Sequence, residues 1–326
     1  MISLESDGRG LQVPWLGGDV LERLLTPERA RAAVERALMA ERAGEAAAPL
    51  RQLVDMPAGT LFVMPAALDG SLAVKLLNDR PHASAGATLP GVVVLFDEAS
   101  GQPCALMDGP VLTALRTAAI AGWATARLAR ARRRVALVGA GFQAWYQAAA
   151  LVDLGGVEAV AIWNRHGEAA EQLAARLRRR HPDLAIRVAA SVPDAVGDAD
   201  VITVATRSPE PLLTRRMVPP HAHVNAMGAY RPTERECAAD LMVAAAVYAD
   251  TPTGVRHEAG DVAIPIAQGQ LAAEAVHALA DAPPVPPAGL TVMKSVGAAV
   301  FDVAAARMAW VAWQGSAEAT AGIPSA

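Results

Sequence analysis

The chain has 326 residues, long enough for about two domains with cores of their own. Its formal net charge of −4 argues against nucleic acid as a partner, and although 53% of the residues are hydrophobic, no uninterrupted apolar run approaches the roughly 20 residues of a membrane span. Two cysteines, Cys104 and Cys237, are too few for a disulfide framework, and the start MISLESDGRG lacks the basic and apolar regions of a signal peptide, so the expectation is a cytoplasmic protein with reduced thiols.

In chain order, Thr26–Glu45 carries Pro27 near its start and many Ala, Glu and Arg residues, which predicts a capped helix. Leu61–Pro65 and Leu72–Leu77 read as strands about a turn at Leu68-Asp69-Gly70. Gly91–Phe96 reads as a buried strand that turns through Asp97–Gly101 to a hairpin partner, Pro103–Met107. Thr113–Ala131 is Ala-rich with few breakers and predicts a long helix, with the basic run Arg127–Arg134 as its solvated end.

From Arg133 the rhythm becomes βαβ. Strands are expected at Val135–Val138, Ala159–Trp163, Ile186–Ala189, Val201–Ala205, Ala222–Met227 and Val247–Asp250, with helices at Ala144–Leu154 and Glu168–Arg180 between the early ones. The Pro-rich loop Ala282–Gly289 then leads to a strand at Leu290–Val296 and a last helix, Ala298–Gln314, that stops at Gly315. The fold class that follows is α/β: a Rossmann doubly wound parallel sheet over residues 126–304, plus an N-terminal α+β domain of residues 1–125 that the C-terminal helix, within 305–326, completes.

Val135–Ala144, VALVGAGFQA, carries the chemistry most openly. Gly139 permits a tight turn, Gly141 lets the backbone approach a pyrophosphate, and Ala144 allows close helix–strand packing, the GxGxxA form of a dinucleotide-binding fingerprint. The following helix N-terminus supplies free N–H groups, with Ala140, Phe142 and Gln143 beside the phosphates. At the end of the second strand, where a carboxylate would take the ribose of NAD, stand Asn164 and Arg165. That pair favours the 2′-phosphate of NADP(H), with NAD(H) possible.

Segments outside this unit resemble the ornithine cyclodeaminase/mu-crystallin family. They are VKLLNDRP (Val74–Pro81), VVVLFDEASGQPCALMDGPVLTALRTAA (Val92–Ala119), ADVITVAT (Ala199–Thr206), HVNAMGAYRPTERE (His223–Glu236), HEAGDVAIPIAQG (His257–Gly269) and VMKSVGAAVFDVAAA (Val292–Ala306). The resemblance implies a homodimer in which the N-terminal domain binds substrate and dimerises, the Rossmann domain binds the nicotinamide cofactor, and the active site lies in the cleft they share.

Lys75, an ammonium in the apolar run AVKLL, matches the family's active-site lysine, able to hold a substrate carboxylate, polarise a C=N bond or exchange a proton with its nitrogen. Arg116 on its Ala-rich helix suits bidentate capture of a carboxylate, and Arg51 matches a second substrate arginine. The resemblance places Thr117, Thr206, Met227, Gly228 and Ser295 at the cofactor, with Thr88 a further candidate and Arg116 near its phosphates, and sets Val296 at the substrate. Lys294 is open to reading as an ion-pairing residue, and Glu258 and Asp261 as structural ones. His82, His221, His223 and His257 lack metal-ligand spacing, so no metal is expected.

Tyr230 decides between branches. The cyclodeaminases carry an aspartate two residues after the glycine that Gly228 matches, and a phenol is a poor base at neutral pH, although it donates a hydrogen bond or simply packs. The resemblance is therefore to the ketimine reductase branch. It implies NADPH-dependent reduction of a cyclic 2-carboxylated imine, Δ1-pyrroline-2-carboxylate or Δ1-piperideine-2-carboxylate, to proline or pipecolate. An ornithine cyclodeaminase or amino-acid dehydrogenase on the same scaffold is the alternative, and a non-catalytic binder of NADPH and a small ligand a third reading. The joint presence of Lys75, Arg51 and Arg116 weighs against the last.

Overall fold

The computed structural model describes residues 2–6, 9–80 and 89–316. Thr88 and His82 lie outside the described residues. Contacts divide the chain into two compact units, Met1–Arg116 with Ala298–Ala326, and Thr117–Gly297.

In the first unit β1 (Ile2–Ser6) and β2 (Arg9–Val13) pair as a separate hairpin, followed by β3 (Trp15–Leu16), α1 (Gly18–Leu24) and α2 (Pro27–Ala43). Thr26 caps α2 by accepting the Arg29 N–H at 3.3 Å, and Gly44 ends it at φ +70, in the left-handed region. Strands β4 (Gln52–Met56), β5 (Gly59–Leu68), β6 (Ser71–Asp79), β7 (Gly91–Asp97) and β8 (Pro103–Asp108) join β3 in a six-stranded sheet of order β3-β8-β7-β6-β5-β4. All neighbours run antiparallel except β3 and β8. The β5–β6 turn is Asp69-Gly70, with φ +52 and +73, the left-handed pair that a two-residue hairpin requires.

Alternation sorts the sheet into two faces. Phe62, Met64, Ala66 and Leu68 of β5 and Ala73, Lys75 and Leu77 of β6 are buried beneath the C-terminal helix, Ala299–Gln314, which α2 backs. Lys75 thus enters an apolar layer with Met64 and Val93 beside it on the adjoining strands. The opposite face is apolar as well: Leu61, Val63, Val74 and Leu76 are half-buried, while Val54 and Leu72 are exposed.

Helix α3 spans Gly109–Leu128, starting four residues before the expected Thr113, because the Asp108 carboxylate accepts the Val111 N–H at 2.9 Å and Pro110 fits the first turn. The two units part within this helix, at Arg116/Thr117.

The second unit contains β9 (Arg134–Val138), α4 (Phe142–Val152), β10 (Ala159–Trp163), α5 (Gly167–Arg180), β11 (Ala185–Val188), α6 (Val192–Val196), β12 (Val201–Val204), β13 (His223–Ala226), α7 (Ala239–Ala244), β14 (Ala246–Ala249), α8 (Pro252–Glu258), α9 (Gly260–Ala267), β15 (Val276–Ala278) and β16 (Thr291–Lys294). Its eight strands are all parallel, in the order β11-β10-β9-β12-β13-β16-β14-β15. Chain direction along the sheet reverses between β9 and β12, the switch point at which doubly wound sheets bind ligands. Every residue of β12 and of β13 is buried, as a sheet covered on both faces requires.

One polar network crosses this core. His223 Nε2 donates to Asn225 Oδ1 at 3.0 Å and Nδ1 accepts from the Thr291 hydroxyl at 2.8 Å, while Asn225 Nδ2 donates to Thr125 on α3 at 2.9 Å. Burial holds the His223 imidazole down at about 4, so it stays neutral. Among the described residues no helix is long and apolar enough to cross a membrane.

Candidate functional site

In the first unit, two sequence candidates, Lys75 and Arg116, meet on one carboxylate that sequence reasoning missed. Asp302 lies in the first turn of the C-terminal helix and is fully buried. Its Oδ2 stands 2.6 Å from Lys75 Nζ and its Oδ1 accepts Arg116 Nε at 2.9 Å. Lys75 and Arg116 are themselves buried, and Arg51, just before β4, is close enough to act on Lys75 by its charge. Burial pulls the Lys75 ammonium down, Asp302 opposes this, Arg116 and Arg51 add to the fall, and the group comes to about 7. Burial pushes the Asp302 carboxyl upward, but Arg116 and Lys75 outweigh it and hold the group below its ordinary value.

A signal for these residues lay in the sequence. Lys75 and Lys294 are the only lysines in the chain; every other permanently charged basic residue is arginine, and both lysines are fully buried. A chain that meets every other need for positive charge with arginine keeps lysine where a compact ammonium is required. A lone Asp in the apolar run AAVFDVAAA was the matching sign for Asp302.

In the second unit the glycine turn has the shape its residues predict. Gly139 sits at φ +110, and a Cβ there would meet the Ala205 carbonyl oxygen at 2.5 Å, so this glycine is demanded by the fold itself. Gly141 is different. It is exposed and precedes α4 with extended backbone, no side chain caps the helix, and a Cβ there would meet nothing within 4 Å. The open space and uncapped N–H groups fit an anionic group such as a pyrophosphate. Gln143 Oε1, buried on the same turn and without a hydrogen-bond partner among the described residues, fits a bound hydroxyl or amide donor.

Asn164 does not stand free at the strand end. Its Oδ1 accepts the Ala140 N–H at 3.1 Å and its Nδ2 donates to the His166 carbonyl at 3.0 Å, so this amide braces the turn. Arg165 is exposed, followed by α5, whose N-terminus likewise has no side-chain cap.

Buried carboxylates fix the other strand ends. Glu236 Oε1 accepts the Thr206 N–H at 2.6 Å and its hydroxyl at 2.9 Å, and Oε2 accepts the N–H groups of Gly228 at 2.6 Å and Ala229 at 3.1 Å. Asp261 Oδ1 accepts the N–H groups of Glu236 and Cys237, both at 2.7 Å, and its Oδ2 lies 2.9 Å from Lys294 Nζ. Burial alone would lower Lys294, but Asp261 and Glu236 together raise it, so it is an ion-paired cation. Burial beside these carboxylates pushes the Cys237 thiol well up, leaving it inert. Asp250, also missed from the sequence, accepts the Ser295 hydroxyl at 2.6 Å and the Gly297 N–H at 2.7 Å. Thr206 and Ser295 therefore spend their hydroxyl protons on protein carboxylates and keep only lone pairs to offer. Met227 and Val296 are half-buried, Thr117 is buried, and the half-buried Tyr230 ring has the guanidinium carbons of Arg207 and Arg231 each 5.9 Å from its centroid.

Comparison with known proteins agrees with this geometry. Residues 18–317 match the ornithine cyclodeaminase/mu-crystallin family. The chain belongs to that family. It is 36% identical over 272 residues to the ketimine reductase mu-crystallin of Mus musculus, spanning 81% of this chain and 85% of that one. It is 31% identical over 261 residues to the Δ1-pyrroline-2-carboxylate reductase of Bacillus thuringiensis subsp. konkukian, spanning 76% and 80%. Among family folds, the Δ1-pyrroline-2-carboxylate reductase of Thermococcus litoralis, solved with NADH and L-proline, superposes with a TM-score of 0.88 at 28% identity, covering 92% of this chain and 97% of that one.

Proposed function

We propose that this chain is an NAD(P)H-dependent reductase of a cyclic imine bearing a 2-carboxylate, Δ1-pyrroline-2-carboxylate first and Δ1-piperideine-2-carboxylate second, forming proline or pipecolate. The charge balance at Lys75 carries the reading: an ammonium and a guanidinium share one buried carboxylate, with the charge of Arg51 nearby. Such an excess of positive charge in a buried place suits an anionic substrate. Arg116, with Arg51, takes the substrate carboxylate. Lys75, at about 7, holds a proton near neutral pH yet releases it readily, and passes it to the ring nitrogen as the C=N bond becomes CH–NH. The carbon gains a hydride and the nitrogen a proton; the nicotinamide, when bound, supplies the hydride.

Gly139, Ala140, Gly141, Phe142 and Gln143 would hold the pyrophosphate side of the cofactor, and Thr117, Thr206, Met227, Gly228 and Ser295 the remainder. Ser295, its proton committed to Asp250, would accept from an amide N–H. Arg165 favours NADPH over NADH, since no carboxylate stands at that strand end to repel a 2′-phosphate. With Tyr230 where the cyclodeaminases have aspartate, ammonia release is not expected. The apolar outer face of the six-stranded sheet, with Val54 and Leu72 exposed, is the face through which a second copy would form a homodimer.

Initial rates with a panel of cyclic and linear imino acids test the proposal. Purified protein should reduce Δ1-pyrroline-2-carboxylate, faster with NADPH than with NADH, and should release no ammonia from ornithine with NAD+. Rapid ammonia release without imine reduction contradicts it.

A further inference from the structure

In the reading above Asp302 is only a counter-charge, yet it is the centre of the cluster. It is fully buried, on a helix turn whose neighbours Val300, Phe301 and Val303 are buried and apolar. A buried ion pair at such a place adds little to stability compared with apolar residues of the same shape, so the fold by itself gives no reason to keep it. Its two oxygens are divided between two cations from separate elements, Oδ1 to Arg116 of α3 and Oδ2 to Lys75 of β6. Arg116 is engaged only through Nε; among the described residues no acceptor is recorded for Nη1 or Nη2. A guanidinium anchored at Nε keeps its two-pronged end for a carboxylate, and an ammonium paired with a single carboxylate oxygen keeps N–H donors in hand.

We propose that Asp302 is the positioning residue of this site, its single carboxylate setting the direction of the Lys75 ammonium while holding Arg116 by Nε so that the Nη pair is left for the substrate carboxylate. This rests on the imine-reductase reading, in which Lys75 gives the proton and Arg116 takes the carboxylate. Asp302 acts through both of them and touches no reacting atom. The charged groups that bear on Lys75 are Asp302 from the C-terminal helix, Arg116 from α3 and Arg51 from the segment before β4; the strand neighbours Met64 and Val93 carry no charge. Asp302 is the only anion among them. Its loss therefore removes the one interaction that keeps Lys75 protonated and the anchor that orients Arg116.

The test compares Asp302→Asn and Asp302→Glu with wild type, reading kcat and KM for Δ1-pyrroline-2-carboxylate and KM for NADPH from pH 5.5 to 9. Asp302→Asn should raise KM for the imine by about tenfold or more and shift the alkaline limb of kcat at least one pH unit downward, with KM for NADPH within about twofold of wild type. Asp302→Glu keeps the charge but moves it, so the limb should return to within about half a unit of wild type while the imine KM stays raised. An unmoved limb in Asp302→Asn, or an equal rise in both KM values, overturns the proposal. Should Asp302→Asn not fold, Asp302→Glu decides alone: a raised imine KM with the wild-type limb supports positioning, and wild-type values throughout overturn it. A wild-type enzyme that reduces no cyclic imine would instead remove the underlying reading.

Discussion

The two lysines of this chain are equally buried and behave in opposite ways. Lys294, in the eight-stranded unit, lies 2.9 Å from Asp261 and 3.8 Å from Glu236, and the two carboxylates raise it above its ordinary value despite burial. Lys75, in the six-stranded unit, shares one carboxylate with Arg116, has Arg51 nearby, and falls to about 7. Desolvation is common to both; the local count of anions and cations sets the sign of the outcome. One lysine is a fixed cation that ties strand ends together, the other a group that exchanges protons near neutral pH.

The largest test of that contrast is to remove each ammonium. Lys75→Met should lower kcat for imine reduction by 10²- to 10⁴-fold, on the order expected for loss of a general acid, while leaving NADPH affinity within about twofold; steady-state rates and cofactor fluorescence titration measure the two. Lys294→Met should do the reverse in kind. It leaves Asp261 and Glu236 buried together without their cation, and should cost about 3–5 kcal/mol in denaturant unfolding. If both variants lose activity and stability in equal measure, the division of labour fails.

A third buried base sharpens the point that burial alone shifts a group when no charge answers it. His223 is held at about 4 against an ordinary 6.5. Between those values the unfolded chain takes up a proton that the folded one refuses, so stability should fall as pH drops from about 6.5 to 4 and level off below, by on the order of 3 kcal/mol. His223→Gln should flatten that part of the stability–pH curve; an unchanged slope would assign it to other groups.

The smallest effect belongs to the cofactor end. Arg165→Ala should cost about tenfold in kcat/KM with NADPH and little with NADH, as loss of one exposed charge-assisted contact predicts. Equal losses with both cofactors would place Arg165 outside the 2′-phosphate site.

Much of this organisation was legible in the sequence because it is local. Alternation in β5 and β6 put Lys75 in a strand, the spacing of Gly139 and Gly141 defined the turn, and Thr26-Pro27 marked the start of α2. The partners of the carboxylates were not legible, since nothing near Asp302, Glu236 or Asp250 in sequence says which cation or N–H group they meet; Arg116 is 186 residues from Asp302. The second role of Asn164 was not legible either: its amide braces the glycine turn through Ala140 and His166. Strand β4 passed unseen because it is exposed along its whole length and shows no alternation. The count of two lysines was there to be read and speaks for both sites.

That count also makes the most direct measurement simple. Protein grown on lysine labelled with 13C at Cε and 15N at Nζ should give two side-chain signals, assigned through Lys75→Arg and Lys294→Arg. The account predicts that the Lys75 signal titrates near pH 7 and that the Lys294 signal titrates above the ordinary lysine value. Two lysines titrating together above pH 10 would contradict it.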